Sequence, residues 1–189
     1  MARKPKLHKK IKELTPAESL AQVKALLKRK RPMKSNELKP GHLIFSAYNA
    51  KDKTQTYDRT PLVLILRRNK THTLGLNFHW IPFSMRINLV KHIMQMNAAN
   101  IRQRKPLQFS YKDLKPMLRS LGYAPCIRLY INRRFGKQGV IIPNYQLMDM
   151  ARLRTETFTK GRFTASEMFQ MAKSKGKSKN GYKRKKQNK

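Results

Sequence analysis

Apolar and polar residues alternate with a period of two through much of the middle of the chain, a pattern typical of β-strands. Within residues 72–79, Leu76 and Phe78 share one face, and Asn77 and His79 lie on the other. We expect the first pair to pack in the core and the second pair to point away from it and to tolerate alanine better. The predicted strands are residues 42–49, 61–67, 72–79 and 138–143.

Residues 67–71 join the second predicted strand to the third. This connection is short enough for an antiparallel hairpin with a basic tip. The period then changes to that of a helix. Ser84 precedes an apolar stripe that can cover one face of the sheet. The stripe consists of Met85, Leu89, Val90, Ile93 and Met96.

The region after Pro106 predicts a short helix, with Ser110 and Asp113 as a capping pair and Gly122 at its end. Pro116 should break or restart this helix, because proline cannot donate the intrahelical hydrogen bond.

Residues 125–135 fit two structures. Ile127, Leu129 and Ile131 alternate as in a strand, whereas Pro125 at a helix start and Gly136 just past the end favour a helix slightly.

Capping boxes mark a helix near each end of the chain. Thr15 and Glu18 should begin a helix that runs to about Lys30, and Thr164 and Glu167 should begin another. The sequence thus predicts an α+β fold with a small, mainly antiparallel sheet or a barrel-like core, packed helices and disordered basic arms. The predicted divisions are a basic N-terminal arm (1–14), a capped basic helix and linker (15–40), a globular α+β core (41–163), and a short helix with a Lys-rich tail (164–189).

Charge identifies the class of partner. The chain has 44 Lys and Arg residues against 9 Asp and Glu residues, a net charge of +35 in 189 residues. A surface of this kind is suited to a phosphate backbone. Aromatic residues near the cations, such as Tyr130, Phe135 and Tyr182, are expected to pack more often than to stack on bases. The candidate nucleic-acid-binding residues are Lys28, Arg29, Lys30, Arg31, Arg67, Arg68, Arg102, Arg104, Lys105, Arg133, Arg134, Lys183, Arg184, Lys185 and Lys186.

The residues that catalysis would need are sparse. A two-metal nuclease requires several converging carboxylates, and those of the predicted core are scattered, at Asp52, Asp58, Asp113, Asp149 and Glu156. His79 and His92, helped by Asn77 or Asn97, are the weak alternative as a one-metal nuclease pair, because lone histidines in strands are usually structural. We therefore expect no catalytic residue, no metal site and no cofactor.

The single cysteine, Cys126, cannot form an internal disulfide, so nothing requires an oxidising compartment. The sequence shows no signal-peptide core and no apolar run of about 20 residues, so we expect no membrane association.

The middle of the chain, over residues 41–160, also resembles a known family. The resemblance is carried by Gly41–Phe45, Tyr48–Lys53, Tyr57–Asp58, Pro61–Val63, Leu74–His79, Ile81–Pro82, Arg86, Leu114–Pro116, Ala124–Ile127 and Tyr130. These residues resemble the core of small virion proteins of contractile-tailed phages that are described as DNA end protectors.

The resemblance implies a non-enzymatic protein that binds the end of packaged double-stranded DNA near the head-tail junction and protects it from host exonuclease. It also implies phage head or neck proteins as neighbours, and a location in the virion and, during assembly, in the host cytoplasm. It carries over no catalytic residue.

Two other functions remain open at this point. A small body with basic arms is also typical of RNA-binding structural proteins of the ribosomal type. A neck or baseplate component whose basic surface meets acidic protein neighbours is the third alternative.

Overall fold

The centre of the fold is an open, antiparallel sheet of five strands in the order β4-β3-β2-β1-β5. The computed structural model describes residues 33, 37–52, 56–103, 105, 107–109, 111–136, 139–153, 155–159 and 163–174, together with residues 18, 21, 23 and 25. The strands are β1 (Leu43–Phe45), β2 (Leu62–Arg68), β3 (His72–Asn77), β4 (Ile127–Ile131) and β5 (Val140–Ile142). The α+β prediction is confirmed, and the sheet does not close into a barrel.

Among the described residues, three α-helices lie between β3 and β4 and a fourth follows β5, and several single turns accompany them. The helices are α1 (Phe83–Met96), α2 (Ala98–Arg102), α3 (Tyr111–Ser120) and α4 (Leu147–Ala151). Residues 165–174 are also helical. Short 3-10 turns lie at Phe78–Trp80, Ala124–Cys126, Asn132–Arg134 and Asn144–Gln146.

Both faces of the sheet are buried, which explains the continuous apolar run of β2. The larger cluster contains Leu62, Leu64 and Leu66 with residues of α1, α3, α4 and the helical segment 165–174. The smaller cluster, on the opposite face, is formed by Leu38, Ile44, Val63, Ile65 and Tyr130, with Met33, Tyr48, Phe135 and Ile141 packed against it. Alternate residues of β2 thus enter different clusters, as the pleat requires.

The predicted hairpin and the predicted strands are confirmed. β1, β3 and β5 are shorter than predicted, whereas β2 begins and ends one residue later than predicted. β2 pairs with β3 in antiparallel register, and β1 lies between β2 and β5. Beyond Phe45 the first strand is reduced to an isolated bridge between Tyr48 and Phe135. β3 ends at Asn77 because the Asn77 side chain accepts a hydrogen bond from the backbone of His79 and turns the chain into a 3-10 turn.

The prediction that Asn77 and His79 point away from the core is wrong. Both side chains are buried. Asn77 still points to the face opposite Leu76, because it pairs with Val63, but the smaller cluster buries that face as well. The 3-10 turn then breaks the alternation of the strand, so His79 no longer follows the period of two.

The slight preference for a helix at 125–135 is also wrong. Residues Ile127–Ile131 form edge strand β4, whose register pairs His72 with Ile131 and Leu76 with Ile127. Pro125 lies in the 3-10 turn before the strand. Backbone pairing with β3 satisfies the hydrogen bonds of β4 and overrides the weak local helix signals.

Helix α3 continues through Pro116, contrary to the predicted break. Leu114 and Leu118 on its inner face are buried in the core, and this packing offsets the single donor that the proline lacks. The predicted end is confirmed, because Gly122 has a φ of +76°. Its N–H donates to the Arg119 carbonyl at 3.0 Å, and the Tyr123 N–H donates to the Leu118 carbonyl at 2.7 Å, which is a Schellman motif.

The second capping box is confirmed. The Thr164 N–H donates to the Glu167 carboxylate at 2.7 Å, and the Glu167 N–H donates to the Thr164 hydroxyl at 3.2 Å. Of the first box only Glu18 is described, and it is helical. Ser110 of the predicted capping pair and both basic arms lie outside the described residues, as does the side chain of Asp113, whose backbone is part of α3. Val23 is buried in the larger cluster, so the core includes a side chain that precedes residue 41.

Replacing Phe78 by alanine should lower the free energy of unfolding by about 3 to 5 kcal/mol, because a large aromatic ring in the core would leave a cavity. Phe78 is fully buried in the larger cluster. Urea denaturation measures the change. Met96→Ala, at a side chain that is 53% exposed at the end of α1, should cost far less, and equal losses in the two variants would contradict this packing.

Candidate nucleic-acid interface

A basic depression of about 380 Å³ lies beside the β2–β3 turn, on the face of the smaller cluster. Three cations line it, namely Arg68, Lys70 and Arg133. They come from two distant parts of the sequence. The remaining lining residues are Met33, Leu38, Asn132, Phe135 and Gly136.

Asn69 and Asn132 hold this depression in shape. The Asn69 side-chain oxygen accepts the N–H groups of Thr71 at 2.9 Å and His72 at 2.7 Å, which closes the β2–β3 turn. The Asn132 amide donates to the carbonyl oxygens of Asn69 at 2.9 Å and Lys70 at 3.1 Å. The turn after β4 is thereby attached to the hairpin tip. The backbone segments that carry Lys70 and Arg133 are therefore held together before any ligand binds.

Arg68 is partly buried within the same network. Its Nη1 donates to the Thr73 hydroxyl at 3.3 Å, and that hydroxyl donates to the Asn132 side-chain oxygen at 2.7 Å. Burial lowers the pKa of Arg68 from its ordinary value. An arginine remains charged in proteins nonetheless, so Arg68 can contact phosphate.

The predicted binding residues fall into several places. Arg67 is exposed on β2, and Arg102 and Lys105 are exposed at and after the end of α2, outside the basic depression. Arg134 is half-buried, and its Nη1 donates to the carbonyls of Asn49 at 3.3 Å and Ala50 at 3.4 Å. Those outside the described residues are Lys28, Arg29, Lys30, Arg31, Arg104, Lys183, Arg184, Lys185 and Lys186.

Tyr48, Tyr130 and Phe135 form an aromatic cluster. The ring centroids of Tyr48 and Tyr130 are 5.0 Å apart, and those of Tyr130 and Phe135 are 5.3 Å apart. The cluster packs on Ile44, Val63 and Ile65. Rings that are committed to such packing are not free to stack on bases, as expected for Tyr130 and Phe135. Tyr182 lies outside the described residues.

Asp58 and His79 form a buried pair that the sequence analysis missed. Their carboxylate and Nδ1 are 2.7 Å apart, and the Thr155 hydroxyl lies 3.0 Å from the other ring nitrogen of His79. The second carboxylate oxygen of Asp58 accepts the N–H of Thr60 at 3.1 Å. Burial alone would raise the pKa of Asp58, but the charge and hydrogen bond of His79 and the backbone N–H groups of Thr60 and Thr157 outweigh it and hold this pKa below its ordinary value.

A carboxylate, an imidazole and a hydroxyl are hydrogen-bonded in sequence, as in a catalytic triad, through Asp58, His79 and Thr155. Their burial nevertheless suits a structural role. All three side chains are buried. A nucleophile must be reached by its substrate, and the Thr155 hydroxyl lines none of the described cavities. His92 is exposed on α1, so the two histidines considered as a nuclease pair lie in entirely different environments.

Arg86 and Glu156 form a second buried ion pair. Arg86 also donates to the carbonyls of Leu153 at 3.1 Å and Ile81 at 3.2 Å. Burial would raise the pKa of Glu156, but the charges of His79 and Arg86 lower it below its ordinary value. Both Asp58 and Glu156 are therefore ionised inside the fold. These two internal carboxylates do little to reduce the positive charge of the protein surface.

Lys70 and Asn132 were absent from the predicted site residues. The hairpin prediction already placed Lys70 at a basic tip, which was a usable signal. No signal in the sequence indicated the role of Asn132, because its hydrogen-bond partners lie 62 and 63 residues away in sequence.

Across the described part of the chain, no cluster of three or more His, Cys, Asp or Glu residues is arranged to hold a metal ion. Nor is any described helix both long enough and apolar enough to span a membrane. Comparisons of the chain with protein-family models, with curated proteins and with solved structures find no match.

Proposed function

We propose that this chain is a non-enzymatic virion protein of a contractile-tailed phage that binds the ends of packaged double-stranded DNA and protects them from exonuclease. The observation that carries the binding proposal is the preorganised basic depression on a chain of net charge +35. The specificity for ends and the place near the head-tail junction rest on the resemblance of residues 41–160 to DNA end protectors.

Electrostatics supports a phosphate ligand. The nine carboxylates are few, and Asp58 and Glu156 are neutralised by internal partners. Cations that are fixed in position lose less entropy on binding than freely rotating ones, and an arginine can contact a phosphate through two parallel hydrogen bonds. At the depression, the Thr73 hydroxyl holds the Arg68 side chain, and the Asn132 hydrogen bonds hold the backbone that carries Lys70 and Arg133.

The surface also favours contact with the backbone over the reading of bases. Tyr48, Tyr130 and Phe135 pack on one another, and Arg134 is tied to backbone carbonyls. Contacts to phosphate position a protein on the duplex without carrying sequence information. A protein that binds every end, whatever its sequence, needs contacts of this kind.

An exonuclease protection experiment tests the proposal. An end-binding protein should protect a linear duplex at a few molecules per end, and lengthening the DNA should not raise the amount required. A circular duplex of equal phosphate number should compete poorly. Protection that needs protein in proportion to DNA length would reject end binding, tighter binding of structured RNA would favour the ribosomal type, and failure to bind nucleic acid would favour a neck or baseplate role.

Replacing Lys70 and Arg133 together by glutamine should weaken duplex binding and make the slope of log affinity against log salt shallower by about 2, because two phosphate contacts are lost. Lys91→Gln with Arg119→Gln is the matched control. These two exposed residues lie on α1 and α3, which cover the other face of the sheet, and the change in net charge is the same. An equal effect of both double variants would show that only net charge matters.

A further inference from the structure

A second cavity, which none of the predicted binding residues lines, lies along the free edge of β4. It has a volume of about 380 Å³ and is bounded by all of Ile127–Ile131, by the segments 48–52 and 56–58, and by Met168, Met171 and Ala172 of the helical segment 165–174. Small-molecule sites are clefts of about 300 to 1,000 Å³ with a few convergent polar groups. We call this cavity the β4 pocket.

Arg128 is the central polar group of the β4 pocket, and it has no acceptor among the described residues. Its guanidinium carbon lies 3.5 Å from the centroid of the buried Trp80 ring. Its Nε is buried without a hydrogen-bond partner. The Nε atoms of Arg86 and Arg134 are also buried without a partner, but the Nη groups of these two arginines donate to carbonyl oxygens, and Arg86 is also paired with Glu156. Arg128 differs from them, because none of its guanidinium nitrogens has a hydrogen-bond partner among the described residues.

Two neighbouring groups strengthen this picture. The hydroxyl of Tyr130, a residue that is only 5% exposed, also lines the β4 pocket and has no hydrogen-bond partner of ordinary geometry among the described residues. Asp58 lines the pocket too, yet its carboxylate is occupied by His79, Thr60 and Thr157. Among the described residues, the one other carboxylate on the wall is that of exposed Asp52, beside exposed Lys51.

Buried donors that lack an acceptor are costly, so such a set usually marks the place of a ligand. The missing partner must accept hydrogen bonds, must be anionic to match the guanidinium, and must fit a cavity that is closed on several sides. A phosphomonoester meets these conditions. It carries nearly two negative charges at neutral pH and accepts paired hydrogen bonds from arginine.

We propose that the β4 pocket receives the terminal 5′-phosphate of DNA, with the Arg128 guanidinium as its main ligand and the Tyr130 hydroxyl as a second donor. This inference rests on the proposed binding of DNA ends and names the group that distinguishes an end from the duplex body. Each phosphate within the duplex is a diester with chain on both sides, whereas a terminal phosphate can enter a cavity. The basic depression, which begins at Asn132 directly after β4, holds the adjoining backbone.

The experiment compares blunt duplexes of one sequence with a 5′-phosphate and with a 5′-hydroxyl. Wild-type protein should bind the phosphorylated duplex about tenfold more tightly or better, since hydrogen bonds to a charged group are strong. Arg128→Met removes the guanidinium but keeps a long apolar side chain beside Trp80, and it should reduce this preference to less than about twofold. Tyr130→Phe should reduce it in part and leave the folded protein intact, because the hydroxyl that it removes makes only a weak contact with the Asn77 side chain.

Arg128→Lys is the control for misfolding, because it keeps the positive charge and removes only the planar guanidinium. It should bind both duplexes yet show a smaller preference than the wild type. Equal binding of the two duplexes by the wild type, or a preference that survives Arg128→Met, would overturn the inference. Tighter binding of thymidine 5′-monophosphate than of the phosphorylated duplex would overturn the assignment to DNA and indicate a free nucleotide. The preference for linear over circular DNA is measured separately, so end binding can hold even if the phosphate is not recognised.

Discussion

The His79→Ala variant is expected to lose about 3 to 5 kcal/mol of unfolding free energy, because it leaves the buried Asp58 carboxylate without the imidazole to which it is hydrogen-bonded. The imidazole links β3 to the Thr155–Thr157 region through Asp58 and Thr155. Urea denaturation at neutral pH measures the loss. His92→Ala removes the same side chain from an exposed position on α1 and should change stability by less than about 0.5 kcal/mol.

A double-mutant cycle separates the charge from the packing. Asp58→Asn combined with His79→Ala should cost less than the sum of the two single variants, because it removes the unpaired charge. Additive costs would contradict the pairing.

The acid limb of the stability curve provides an independent check. The pKa of Asp58 is lower in the folded chain than its ordinary 3.8, so its contribution to stability is present above that pH and is lost as the pH falls through the folded pKa. The difference in stability between the wild type and Asp58→Asn should therefore shrink below a pH of about 4. A constant difference down to strong acid would show that Asp58 is not ionised in the fold.

Duplex DNA binding should weaken by roughly 10⁴- to 10⁶-fold between 50 and 200 mM salt, if the arms and the surface cations together neutralise about 8 to 12 phosphates. This corresponds to a slope of log affinity against log salt of about −7 to −11. A slope shallower than about −3 would contradict an electrostatic interface.

Removing residues 175–189 should make this slope shallower without unfolding the protein. The segment contains eight Lys and Arg residues. A truncation after Ser174 retains Met168, Phe169 and Ala172, which pack in the core, and it retains Lys173 over the Phe169 ring. Replacing the eight cations by glutamine in the full-length chain is the control for length. An unchanged slope in both variants would exclude the tail from the interface.

Local signals in the sequence predicted a large part of the fold. The hairpin between β2 and β3, the helix Phe83–Met96, the end of α3 at Gly122 and the Thr164–Glu167 capping box each depend on residues that are close in the chain. Charge is likewise a sum over residues, so a net charge of +35 and a polyanion as the expected partner follow from composition alone.

Tertiary packing caused most of the errors. Residues 125–135 carry weak signals for both a helix and a strand, and pairing with β3 decided for the strand. Pro116 is tolerated inside α3 because Leu114 and Leu118 pack in the core. Asn77 is buried because both faces of the sheet are covered. His79 is different, because the 3-10 turn after β3 changes the direction of its side chain.

The sequence by itself determined the class of fold, the hairpin and the basic character of the surface, because these follow from periodicity, local capping and a count of charges. Only the tertiary structure decided which cations act together and which charged groups are neutralised inside. Asn132 donates a hydrogen bond to the hairpin residue Asn69, 63 residues earlier in the sequence. Asp58 accepts one from Thr157, 99 residues later. Contacts between residues so far apart arise only when the sheet has assembled, since loop closure over such distances leaves no local trace in the chain.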